Sequence, residues 1–191
     1  MQYHSYKVQD MKHKHMRTIS TIALLFVLCL TTAGQNQQAE VAKIRKAYAT
    51  AKADADKAQK GTDPQLGHMV ITNNHVEPGT GPQKETLQYY YRRTEDQTTG
   101  MYYYKPFLIT RKFNVAAQDI YEEFLYIDFD EGLNFFFQKS GANETRYYYW
   151  GWNGGGSHEA VKGESLMDSV FALRLATDLN EAFTRLMNRD Y

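Results

Sequence analysis

The chain has 191 residues, the length of one domain with a short appendage. Lys+Arg and Asp+Glu each number 22, so no basic excess marks a nucleic-acid binder, and 42% hydrophobic with 23% charged residues excludes wholesale disorder. A single Cys cannot build a disulfide framework, and the unusual figure is 14% aromatic residues: 15 Tyr, 10 Phe and 2 Trp.

Lys12, Lys14 and Arg17, with His13 and His15, form a positive head. Ile22–Leu30 is an unbroken apolar run, followed by the small or polar Thr31, Thr32, Ala33 and Gly34. This order predicts a secretory signal peptide cleaved after Gly34. At about 1.5 Å per residue such a run reaches about 14 Å, short of a ~30 Å hydrocarbon core, and no spanning helix is expected after processing. Residues 1–10 read as an upstream extension, because Met11 or Met16 makes a more ordinary start than Met1. Leu28 stands before Cys29 where a lipid-attachment site needs a small residue, which speaks against a lipoprotein. Removing 1–34 takes away Lys7, Lys12, Lys14, Arg17 and Asp10, leaving 18 basic against 21 acidic residues, net −3. The processed chain has no Cys, so thiol catalysis and thiolate metal sites are excluded.

Residues 35–61 are expected to carry an N-terminal helix over 39–60, rich in Ala and Lys and free of Pro and Gly. Val41, Ile44, Tyr48, Ala51 and Ala55 make a narrow apolar stripe, and Gly61 and Pro64 close the helix. So small a stripe places it at the edge or back of the fold. Residues 62–191 read as an antiparallel sheet plus a C-terminal helix, and 35–191 as one domain. Strands are expected over 66–73, 85–94, 101–115, 120–129, 133–139 and 145–152, with a short last one over 158–162. Pro106 suggests a bulge or an edge. Asp130-Glu131-Gly132 reads as a tight hairpin turn. A helix is expected from Ser165 to about Asn188, with Ser165 and Asp168 resembling a capping box and Leu166, Val170, Leu173, Leu175, Leu179, Phe183, Leu186 and Met187 forming a broad apolar face.

The fold class is therefore α+β: an antiparallel sheet of about six strands packed by the C-terminal amphipathic helix, the weaker helix at its edge or back. Phe124–Ile127, Phe135–Phe137 and Tyr147–Trp150 lack the polar alternation of a half-solvated strand. Either both sheet faces are covered, or the sheet is strongly curved, or one aromatic face awaits a ligand.

Tyr89, Tyr91, Tyr102, Tyr104, Tyr147, Tyr149, Trp150 and Trp152, with His158 after the Gly-rich loop, are the candidate ligand-binding residues. Tyr and Trp offer an apolar face with a polar tip, which suits glycans, peptides and envelope proteins; equally, Tyr fits a half-buried pleated surface. The 150–158 loop lacks the Gly-Lys-Ser/Thr ending of a phosphate loop. His68, His75 and His158 match no zinc spacing, Asp128 and Asp130 lack the further ligands of a calcium loop, and no Gly-x-Ser-x-Gly occurs. No metal or cofactor is expected. Adjacent Glu122 and Glu123 should point to opposite faces and so cannot work as an acid–base pair.

Tyr104–Ala117 with Tyr121–Tyr126, the Ala-Gly-Gln end of the export segment and the Lys/Ala-rich helix resemble a group of exported proteins of gut Bacteroidota without an assigned activity. The resemblance implies a bacterial periplasmic or secreted setting and brings no catalytic residues. The resulting expectation is an exported, non-enzymatic binding domain acting through its aromatic strands. The alternatives are an envelope-polymer hydrolase using Asp128, Asp130 or Glu159, and a scaffold docking through a sheet edge marked by Pro106.

Overall fold

The computed structural model describes residues 36–77, 81–115, 118–127, 132–151 and 156–187. The expected signal segment, Asp128, Asp130 and Trp152 lie outside them. The chain divides into two compact units, 1–40 and 41–191, and all packing below belongs to the second.

A helix, α1, covers residues 36–60. Seven strands follow: β1 (Leu66–Glu77), β2 (Gly81–Glu95), β3 (Tyr102–Val115), β4 (Gln118–Leu125), β5 (Phe135–Ser140), β6 (Asn143–Trp150) and β7 (Gly156–Lys162); helix α2 (Ser169–Met187) comes last. The strands form one antiparallel meander in chain order, so every neighbour in space is a neighbour in sequence. Turn chemistry explains this locally. Asp96 accepts the amides of Thr98 and Thr99 at 2.7 and 3.1 Å between β2 and β3, and Gly100 closes that turn at φ 68°.

Both faces of the sheet are covered, which resolves the missing alternation. On one face Val41, Ile44, Ala51, Ala55 and Ala58 of α1 pack with Tyr90, Leu108, Leu125, Phe135 and Tyr148. On the other, Ala172, Ala176 and Phe183 of α2 pack with Tyr89, Ile109, Phe124, Phe136, Tyr147 and Tyr149. Five successive strands from β2 to β6 thus send one member of an adjacent apolar pair to each helix. Burying a large side chain stabilises by about 1.5–3 kcal/mol, so each pair contributes twice. The small α1 stripe does not weaken its role: alanines let the helix lie close to the aromatic rings.

Of the two readings of Pro106 the bulge holds and the edge does not: it sits buried in β3, an interior strand, at the register shift between Tyr90 and Tyr91, and the edges are β1 and β7. β4 ends at Leu125, opposite Phe135 at the start of β5, and Asp130 and Glu131 of the expected turn lie outside the described residues. The Tyr126 amide donates to the Phe107 carbonyl, and Asn134 Oδ1 accepts the Ile127 amide. Helix α2 begins at Ser169, with Asp168 itself the cap through the amides of Val170 and Phe171 at 2.8 and 3.3 Å. Ser165 lies ahead of the helix.

Candidate functional site

The Tyr-rich runs separate into two populations. Tyr89, Tyr147 and Tyr149 are 1–4% exposed and cannot meet a ligand. Their rings fill the sheet–α2 interface, and their hydroxyls fasten it. Tyr89 donates to the Leu179 carbonyl at 3.2 Å, Tyr149 to Ser169 at 2.9 Å and Tyr147 to Met167 at 2.6 Å. Tyr126 adds a fourth bond, to Ala176 at 2.7 Å. Burial raises the pKa of each; for Tyr89 it reaches about 12.

Tyr91 is half-buried over Gly67 and touches Tyr104 edge-on at 5.7 Å. Trp150 lies across Gly156 in the same way, and His158 stacks near Tyr148 at 6.0 Å. Tyr102 remains open at 44% exposure, with the Arg93 guanidinium 3.6 Å above its ring; Tyr103 beside it is 42% exposed. Trp152 falls outside the described residues. The candidates therefore do not converge on one surface: most are core or edge packing.

Glu122 and Glu123 point to opposite faces, and both are buried. On the α1 side Glu123 accepts from the hydroxyls of Tyr48 and Tyr121 and from Lys52 Nζ at 2.6 Å. This knot ties α1 to β4. Burial, and then the bond to Glu123, pushes the Tyr48 and Tyr121 hydroxyls well above the usual tyrosine range. On the α2 side Glu122 meets Arg111 Nη1 at 3.2 Å and Gln138 Nε2 at 2.7 Å. Desolvation raises its pKa against the lowering influence of Arg111. Both carboxylates are saturated by structural partners. Glu159 is exposed, with Oε1 3.0 Å from the Tyr147 hydroxyl.

A cleft opens between α1 and the sheet beside the Glu123 knot. Its volume is about 360 Å³. Phe107, Leu125, Ile127, Ala47 and Ala51 give it an apolar floor, and Lys43, Lys46 and Arg92 stand on its rim. Arg92 is held over the Phe107 ring at 5.1 Å and by Asp54 at 2.9 Å, which fixes one cation at the mouth. No acidic side chain lines it among the described residues. Lys43 and Lys46 lie three apart on one helix face, a spacing visible in the sequence but indistinguishable there from ordinary solvated charge. Its rim residue Arg92 reads, with Arg93, as a solvated basic pair. Among the described residues there is no group of three His, Cys, Asp or Glu fit to hold a metal, and no helix is long and apolar enough to cross a membrane.

No protein-family model matches the chain, and no curated protein or solved structure matches it either.

Proposed function

We propose that this chain is an exported, non-enzymatic binding domain whose ligand enters the α1–sheet cleft, not the aromatic strands. The ligand class is a small molecule with an apolar body and an anionic end. One observation carries this reading: an apolar floor and a cationic rim meet in a cavity of about 360 Å³, within the size range of small-molecule sites. Glu122 and Glu123 are committed to the fold on opposite faces, and of the acids named for hydrolysis Asp128 and Asp130 lie outside the described residues. Export rests on the positive head, short apolar run and small-residue end of the first 34 residues.

A matched pair of probes tests the reading: decanoate and decanol, titrated calorimetrically. Decanoate should saturate, and decanol should bind about tenfold more weakly, as loss of one charge-assisted contact predicts. Lys46→Glu should weaken decanoate by a similar factor, and Ala47→Phe should block the cleft. Equal affinity for the two probes, or binding indifferent to both substitutions, would remove the cleft as the site.

A further inference from the structure

β1 is an edge strand of an unusual kind. It pairs with β2 along all 12 residues in unbroken register, and no described strand borders its other side. At about 3.4 Å per residue it presents roughly 40 Å of backbone, with alternate amides and carbonyls turned outward. Edges of natural sheets are normally protected by Lys, Pro, a bulge or shortness. β1 has none of these: its sequence LGHMVITNNHVE contains no Lys, Arg or Pro, and its one charge, Glu77, is terminal. Val70, Ile71 and Val76 are 51%, 36% and 75% exposed. The opposite edge, β7, is a contrast: 7 residues long, it carries Glu159 and Lys162, and Trp150 covers its Gly156.

The residues of β1 also determine which partner fits. A twofold axis normal to the sheet would keep the α1 face of one copy continuous with the α1 face of the other. Directly opposed residues must then share a face. Leu66 and the other even positions lie on the α1 side, because His68 opposes Tyr90, and Met69 and the odd positions lie on the α2 side. Only registers centred on a residue satisfy that parity. Centring on Ile71 sets Leu66 against Val76 and Val70 against Thr72, with Ile71 against itself on the other face. Those are the apolar and β-branched pairs that stabilise neighbouring strands. The same register sets Glu77 against Gln65, so no like charges meet. Centring on Val70 or on Thr72 breaks the Leu66–Val76 pair.

We propose that two copies of this chain join through β1, antiparallel about a twofold axis at Ile71, to make one continuous fourteen-stranded sheet. The interface is isologous, as closed dimers require. It is independent of the cleft and of any ligand there.

Sedimentation velocity on the full chain tests it together with crosslinking. The wild-type protein should sediment as a dimer. Ile71→Lys opposes two like charges at the axis and should raise the dimer Kd at least about tenfold, with far-UV circular dichroism unchanged because position 71 is already solvent-accessible. In a Cys29→Ser background, Ile71→Cys should form an intermolecular disulfide under mild oxidation, because cross-strand pairs lie within disulfide reach. Val115→Cys, exposed on β3, should not. A monomer at about 100 μM, a dimer indifferent to Ile71→Lys, or equal crosslinking at positions 71 and 115 would each overturn the proposal. A β1 edge reserved for a different polypeptide would give the first of these results.

Discussion

Tyrosine is the residue through which this molecule is best understood. A phenylalanine buries the same ring, yet α2 meets a row of hydroxyls from the sheet. Each is close enough to donate to a carbonyl of the helix or of its lead-in. The Ala176 and Leu179 carbonyls lie within α2, where an oxygen with two lone pairs can take a second donor. The hydroxyls thus supply direction to an interface whose apolar burial is non-directional. Tyr126→Phe isolates that contribution, because Tyr126 is 3% exposed and its ring would stay in place. The expected loss is about 1 kcal/mol by urea denaturation. Tyr102→Phe, at an open position, should leave the midpoint unmoved. An equal loss at both positions would mean that the hydroxyl bonds to α2 carry no particular weight. Why so many tyrosines are inside is also why their place was hard to read: the ring that covers a core and the ring that meets a ligand are the same amphipathic group, and only the path of α2 decides between them.

At the scale of elements, the two edge strands share a device. Gly67 of β1 opposes Tyr91, and Gly156 of β7 opposes Trp150. In each case the ring lies across the glycine: an added Cβ would fall 2.1 Å from Tyr91 Cε2 and 2.2 Å from Trp150 Nε1. Glycine weakens a strand, and an aromatic cross-strand neighbour offsets that loss. Gly67→Val should therefore cost about 2 kcal/mol by displacing Tyr91 from Phe183 and Tyr104. Chemical denaturation of the single and double variants checks this: in a Tyr91→Ala background the same substitution should be nearly neutral, and strict additivity would show that the ring is not the obstacle. The strands themselves were legible, because turn residues punctuate them and because Tyr89-Tyr90, Phe124-Leu125 and Phe135-Phe136 announce burial on two sides. The end of β4 was not: the apolar pattern runs on through Tyr126 and Ile127, while the Ile127 amide is taken by the Asn134 side chain. The cleft was also hidden, since Lys43 and Lys46 come together with Arg92 and Phe107 only when α1 crosses the sheet.

For the whole molecule, the covering of both faces turns its tyrosine content into a dependence on alkali. Burial raises the pKa of Tyr48, Tyr89, Tyr121, Tyr126 and Tyr149, with Tyr89 at about 12. Above about pH 10 an unfolded chain loses these protons while the native one keeps them. The native state then binds more protons, so stability falls with rising pH. This contribution is complete below the unfolded value and disappears as pH climbs through the folded ones. Stability should therefore hold up to about pH 9 and collapse cooperatively between about pH 10 and 12. Tyrosinate absorbance from the buried set should rise together with the loss of far-UV circular dichroism, not ahead of it. The only Cys in the chain is Cys29, within the apolar run, so thiol chemistry in residues 36–191 cannot imitate that transition. Complete ionisation of the tyrosines with the fold intact would mean that their hydroxyls are reached by water. The two helices would then not seal the sheet, and the division of Tyr89 and Tyr90, or of Tyr147 and Tyr148, between opposite interiors would fail with it.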